Sequence, residues 1–267
     1  MRHAVQRIAG RHNERLRDVS RLIASSRERR KSGRCVLEGT HAVQVYCERI
    51  GAPDTLIAVE DSVEDAKVAA LIARVPPSRA LAISRALFSE IASVPPDVRV
   101  LAAVRVPPTS VSSPGRHCLL LEDVQDPGNV GTMIRTAAAA GADQVVLSRN
   151  CAFAWSPKAL RAGQGAQFLT AVIEDVDLIA WIGAFRSAGG RLIVGVVGDA
   201  PSLFHADLRG RIAIVVGSEG RGVSDDLLEL ADQRVTIPMA PGSESLNAAA
   251  AAAVLLFEGV RQRAVRA

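Results

Sequence analysis

From residue 117 onward, short runs of Val, Ile and Leu alternate with stretches whose apolar positions recur at helical spacing. The strand-like runs are Cys118 to Glu122, Gln144 to Ser148, Phe168 to Ile173, Leu192 to Val197, Ile212 to Val216 and Val235 to Ile237, and the helical stretches fall at about 129–140, 156–163, 177–188, 224–230 and 246–262. Strands that are apolar almost throughout, separated by helices, predict an α/β domain with a parallel sheet covered on both faces. The first hundred residues predict a basic helix at 12–24, an apolar patch at Cys35 to Leu37, a helix at 40–50, a strand at 55–59, a helix at 64–74, a strand at 80–83, a helix at 85–93 and a strand from Val98 to Val104. This reads as a small α/β sandwich. Pro76-Pro77 and Pro95-Pro96 mark its turns, because neither pair fits inside a helix. Between the two patterns, residues 107–116 are rich in Pro, Ser and Gly, so the expected division is a first domain at 1–106, a linker at 107–116 and a second domain at 117–267.

Composition narrows the class. Hydrophobic residues make up 48% of the 267, yet no stretch approaches the ~18 to 20 uninterrupted apolar residues of a membrane span, and the Arg-rich start lacks the apolar core of a signal peptide. A soluble cytoplasmic protein is expected. Cys35, Cys47, Cys118 and Cys151 form no C-x-x-C pair, and His3, His12, His41, His117 and His205 show no ligand spacing, so neither a disulfide framework nor a metal site is expected.

Charge changes the picture more. The net +4 combines a first segment, residues 1–34, holding eleven Arg or Lys against Glu14, Asp18 and Glu28, with a remainder that is −4. A basic segment on a mildly acidic body fits a polyanion partner, since phosphate contacts supply sequence-independent affinity. Arg11, Arg27, Arg29, Arg30 and Lys31 are the candidate nucleic-acid contacts. With aromatics at 3%, stacking platforms are not evident and contacts to nucleic-acid shape and phosphates are the expected mode.

Two late strings carry the candidate chemistry. One is the glycine-broken loop Val216-Gly217-Ser218-Glu219-Gly220-Arg221-Gly222; the other is Ile237-Pro238-Met239 followed by Ser245-Leu246-Asn247 and a run of alanines. Each follows a strand pattern, and the second opens a helix, so backbone amides and small side chains are presented where a parallel sheet holds adenosine-type ligands. A nicotinamide fingerprint is excluded, because the first strand of this domain is followed by Asp126-Pro127-Gly128-Asn129-Val130-Gly131, with the wrong glycine spacing. The G-x-x-x-x-G-K phosphate loop is missing as well.

Asp126 to Ala137, then Gly217 to Gly222, then Ile237-Pro238-Met239 with Ser245-Leu246-Asn247, resemble the three ordered motifs of the SpoU class of RNA ribose 2′-O-methyltransferases in the SPOUT superfamily. The resemblance covers about residues 117–262, and the first domain is similar to the ribosomal-protein-like RNA-binding module of many relatives. It implies an S-adenosylmethionine site in a C-terminal trefoil knot, a homodimer formed through the catalytic domain, and methylation of a ribose 2′-hydroxyl in structured RNA. Periodicity alone would not lead to a knot. Ribosomal RNA is the expected substrate, with a tRNA methylase, or an RNA-binding protein that keeps the fold without turnover, as alternatives.

Carried over by position, Gly217, Ile237 and Leu246 contact the cofactor through backbone groups, while Val216, Pro238 and Met239 line its pocket. Arg135 corresponds to the arginine regarded as catalytic. A guanidinium stays protonated in proteins, so its expected role is to grip the phosphate beside the target ribose and stabilise a developing alkoxide. Asn129 is expected to cap the first helix and order the loop facing RNA, Glu219 to fix the glycine loop or contact substrate, Ser245 to cap the last helix and Asn247 to lie in its first turn; the resemblance places all four beside Arg135 as catalytic candidates, relatives using the matching Ser and Asn in the active site. Relatives continue after the Asn with Val-Ser, whereas this chain has alanine from 248 to 253, so nothing is carried over to Ala249.

Overall fold

The computed structural model describes residues 5–92, 95–108 and 113–264. The chain divides into two compact units, one formed by Met1–Pro108 with Trp155–Phe168 and the other by Thr109–Ala154 with Leu169–Ala267. The boundary at Pro108 falls inside the expected linker, whose residues 109–112 lie outside the described residues. Residues 113–116 are tied down instead of free: the Asp143 carboxylate accepts the Arg116 and His117 amides, and the Gln144 amide reaches the Ser113 carbonyl.

The first unit holds β1 (Gln6–Ile8), α1 (Glu14–Ala24), α2 (Ser26–Ser32), β2 (Arg34–Glu38), α3 (Thr40–Arg49), β3 (Thr55–Val59), α4 (Ala66–Ala73), β4 (Ala80–Ile83), α5 (Arg85–Ile91) and β5 (Val100–Arg105). Its sheet runs β1-β4-β3-β5-β2, parallel across β1, β4 and β3 and antiparallel where β5 meets β3 and β2. Leu16, Val19 and Leu22 of α1 join Phe88 and the inward side chains of β3, β4 and β5 in one core.

The single basic helix expected at 12–24 is followed at once by a second. Ser25 ends α1 and turns its hydroxyl onto the Glu28 amide to start α2, which stops at Gly33 in the left-handed region at φ 60°.

Four of the five candidate RNA contacts, Arg11, Arg27, Arg30 and Lys31, are exposed, but Arg29 is 6% exposed and corrects that expectation. Its guanidinium donates to the Leu22 carbonyl at 2.6 Å and the Ile23 carbonyl at 2.9 Å, satisfying orphan acceptors in the last turn of α1. Burial lowers its pKa from the ordinary arginine value. Replacing Arg29 by Met is therefore expected to cost about 1–3 kcal/mol, because two carbonyls lose their donor. RNA affinity should follow only the Ala variants of Arg27, Arg30 and Lys31, each lowering the salt slope by about one. Urea unfolding beside a salt titration of RNA binding checks both halves.

In chain order the second unit contributes β6 (His117–Leu121), α6 (Pro127–Ala139) and β7 (Gln144–Ser148). After α7 (Pro157–Gly163), which belongs to the first unit, come β8 (Ala171–Val176), α8 (Leu178–Ser187), β9 (Arg191–Gly195), β10 (Ile212–Val216), α9 (Asp225–Glu229), β11 (Gln233–Val235) and α10 (Ala248–Ala264). The sheet is parallel throughout, in the order β11-β9-β10-β6-β7-β8. Trp181, Ile182 and Phe185 of α8 and Leu227 of α9 pack on one face, and α6 and α10 cover the other.

Residues 155–168, expected within the catalytic domain, are the exception. Arg161 pairs with the nearly buried Glu38 at 2.9 Å, and Phe168 meets Tyr46 edge-to-face at 5.0 Å and Trp155 at 5.6 Å. Phe168 therefore sits in a short turn of the first unit's core, and the strand expected from Phe168 begins at Ala171 instead. All four cysteines are free; burial pushes the Cys35 and Cys118 thiols up to about 12 and raises those of Cys47 and Cys151 as well.

Candidate active site

The chain leaves β6 toward β7 and β8 at one edge of the sheet, whereas β10 leads to β11 at the other. The strand ends therefore part between β6 and β10, the position where open parallel sheets accept ligands. A cleft of about 660 Å³ opens beside that point, at the ends of β9 and β10, lined also by the loop Gly217 to Val223 and by Ser245 to Ala248 leading into α10. An apolar recess of about 80 Å³ adjoins it, lined by Val196, Val216, Ile237, Met239, Leu246 and Leu255 among others. Together they fall within the ~300–1,000 Å³ usual for small-molecule sites.

The cleft wall depends on a backbone crossing. Gly217 passes so close to the returning strand of its own loop that an added Cβ would lie 2.1 Å from the Gly222 carbonyl oxygen and 2.4 Å from the Val223 nitrogen. Ser218 and Gly222 exchange backbone hydrogen bonds of 3.1 and 2.9 Å, and Gly222 adopts φ 70°, where a side chain would be strained. The loop is thus a closed hairpin with amides and no bulk at its base.

Three distant parts of the sequence meet at its rim. The Asn129 amide donates to Glu219 at 2.6 Å, and the Asn247 amide donates to the Asn129 side-chain oxygen at 3.2 Å. Asn129 is not the N-cap of α6; Asp126 takes that place by accepting the Asn129 backbone amide at 2.9 Å, which frees the Asn129 side chain to face Glu219. Ser245 likewise does not cap α10. The Asn247 side-chain oxygen accepts the Ala249 and Ala250 amides at 2.9 and 3.3 Å, and Ser245 stays exposed on the cleft wall.

Arg135 projects from the solvent face of α6, about 9 Å along the axis from Asn129 at 1.5 Å per residue, and makes no hydrogen bond or ion pair with the described residues. Its guanidinium is available to a ligand. Of the residues expected to meet a cofactor, Val216, Gly217, Ile237, Met239 and Leu246 line the cleft or its recess, and Leu246 is 41% exposed although apolar. Pro238 is exposed and stands outside this lining, between Ile237 and Met239 that belong to it. Among the described residues no cluster of His, Cys, Asp or Glu could hold a metal ion, and no helix is long and apolar enough to cross a membrane.

Sequence reasoning missed Arg221, quoted in the glycine loop without a role yet lining the cleft. It also missed Glu122, at the end of β6, whose carboxylate accepts the Ser224 amide at 2.8 Å and the Ser224 hydroxyl at 2.6 Å. The only signal for the latter was a carboxylate closing an otherwise apolar strand.

Known proteins resemble the chain in sequence and in fold. A 23S rRNA (guanosine(2553)-2′-O)-methyltransferase, RlmP, of Bacillus subtilis is 31% identical over 258 residues, 95% of this chain and 98% of its own. An uncharacterized tRNA/rRNA methyltransferase of Synechocystis is 40% identical over 154 residues; the match spans 57% of this chain and only 56% of that one. The crystal structure of the SpoU methyltransferase AviRb from Streptomyces viridochromogenes in complex with AdoMet superposes with a TM-score of 0.82 at 26% identity, over 95% of this chain and 99% of that one. The profile of the SpoU rRNA methylase family matches residues 116–257, the stretch that contains every element of the cleft, and the chain belongs to that family.

Proposed function

We propose that the protein methylates a ribose 2′-hydroxyl in ribosomal RNA, with S-adenosylmethionine as donor. The observation that carries this reading is the convergence of the glycine hairpin, the start of α10 and the Glu219–Asn129–Asn247 chain on one cleft. The cleft fits that donor: apolar walls from Ile237, Met239 and Leu246 suit a neutral adenosine, and the open amides of the glycine loop suit its polar tail. When bound, S-adenosylmethionine supplies an electrophilic methyl group on a sulfonium.

The chain's own part is positioning and charge stabilisation. Arg135, as a permanent fork of donors, grips the phosphate next to the target ribose and stabilises negative charge growing on the 2′-oxygen, whose proton leaves to water or phosphate. Asn129, bonded to Glu219 on one side and to Asn247 on the other, keeps the acceptor-facing helix, the glycine loop and the start of α10 in one arrangement. Ser245, exposed on the same wall, is in reach of the incoming nucleotide. Exposed Arg11, Arg27, Arg30 and Lys31 supply phosphate contacts in the first unit.

The wider reading has the second unit knotted at its C-terminal end and paired with a second copy in the cytoplasm; Phe204 and Phe257, 55% and 48% exposed, support an apolar pairing surface. The 23S rRNA activity of the relative RlmP supports ribosomal RNA over tRNA. Mapping 2′-O-methyl groups in total RNA from cells with and without the gene tests this. One lost site in ribosomal RNA is expected; a lost site in tRNA overturns the substrate, and no loss together with no calorimetric binding of S-adenosylmethionine overturns the activity.

A further inference from the structure

We infer that Glu122 is the positioning residue that holds the cofactor-side glycine loop closed, acting through Ser224. The inference deepens, and rests on, the reading of the cleft as an S-adenosylmethionine site. Glu122 stands at the mouth of the gap between β6 and β10, where the two outgoing segments run to opposite edges of the sheet. It touches the loop at both ends. Its backbone amide donates to the Val216 carbonyl at 3.0 Å, at the residue before Gly217. Its carboxylate accepts the Ser224 amide at 2.8 Å and the Ser224 hydroxyl at 2.6 Å, just beyond Val223.

The Ser224 hydroxyl shows where the preference lies. Ser224 stands at the N-cap of α9, yet it makes no side-chain cap bond there because its hydroxyl is given to Glu122. A local helix contact has been exchanged for a bond between loop and sheet. Within the loop, the Ser218–Gly222 pair and the Arg221 amide to the Ser218 hydroxyl at 3.3 Å give further support, Glu219 accepts the Asn129 side-chain amide at 2.6 Å nearer the tip, and Gly220 is open on the side a Cβ would occupy. Such a hairpin can hinge at its base, and Glu122 spans that base. The segment from Glu122 to Asp126 also leads directly into α6, which carries Asn129 and Arg135. One carboxylate thus fixes the donor-side loop relative to the acceptor-facing helix.

Glu122→Gln is the main test, because its amide can accept through one atom only and presents a donor to the other Ser224 donor. Calorimetry with S-adenosylmethionine should show Kd raised about tenfold, the yield of losing a charge-assisted bond. The KM for the donor should rise with it while kcat stays within about threefold, since no reacting atom is touched. Hydrogen exchange in residues 216–224 should quicken, and RNA affinity should hold. Ser224→Ala should weaken donor binding about threefold and add nothing to Glu122→Gln, while Ser224→Thr, which keeps both donors, should behave as wild type.

A Glu122→Gln protein that binds the donor and exchanges like wild type overturns the inference, and so do losses that multiply in the double variant. Should Glu122→Gln fail to fold, Ser224→Ala decides alone: unchanged donor affinity and exchange overturn the clasp. Wild-type protein that does not bind the donor overturns the cofactor reading instead, and the two failures remain separate.

Discussion

Arg135→Ala is expected to lower turnover on RNA by about 10²- to 10³-fold, the range seen when one donor to a developing oxyanion is removed. The affinity for S-adenosylmethionine should change less than twofold, because Arg135 is not part of the cleft lining. Stability should also be untouched, since the side chain is exposed and makes no bond with the described residues. Arg135→Lys separates two explanations. A lysine keeps the charge and loses the planar fork, so it should remain at least about tenfold impaired if a phosphate is gripped through two parallel bonds. Single-turnover methylation with labelled donor at saturating RNA measures both variants. Near-normal turnover by the lysine enzyme would leave only a point charge to explain.

Gly217→Ala is expected to abolish measurable donor binding, with Kd raised more than about 100-fold. The added methyl would meet backbone atoms of Gly222 and Val223 at 2.1 to 2.4 Å, and neither can rotate away as a side chain would. Relief requires the hairpin to open, which breaks the Ser218–Gly222 pair and moves Glu219 off Asn129. Stability should fall by about 1–3 kcal/mol as for other overpacked sites. Gly220→Ala is the control: its added methyl meets nothing within 4 Å, and binding should persist. Calorimetry on the two variants checks the contrast, and equal affinities would mean that the crossing is not what shapes the cleft.

Much of this was legible along the chain because apolar period and glycine spacing are local signals. The parallel sheet from β6 to β11 follows from strands such as Ile212 to Val216 that are apolar at every position, and the glycine hairpin follows from Gly217, Gly220 and Gly222. What was not legible depends on partners far away in sequence. Gln6–Ile8 is a strand only because it adds to β4, and Gln-Arg-Ile carries no alternation of its own. Residues 155–168 join the first unit through Glu38 and Tyr46, more than a hundred residues earlier.

Within the site, the helix starts were misassigned by a few residues for one reason. Asp126 and Asn129, or Ser245 and Asn247, are equally good caps by residue type, and the choice is made by a third group. Glu219 draws the Asn129 amide away from the helix end, and Asn129 in turn receives the Asn247 amide. Arg29 was misread in the same way, since a cation in a basic run looks solvated until two carbonyls behind it are seen.

The alanines that open α10 carry almost no information about where the helix should start. Six identical methyl groups from 248 to 253 would pack nearly as well after a shift by one residue, and Leu255 and Leu256 lie a full turn or more downstream. Asn247 breaks that degeneracy, because it alone holds the first free amides of the helix while reaching across to α6. That side chain ties the opening of a seventeen-residue helix to α6, so the floor of the cleft inherits its alignment from the helix that carries Arg135.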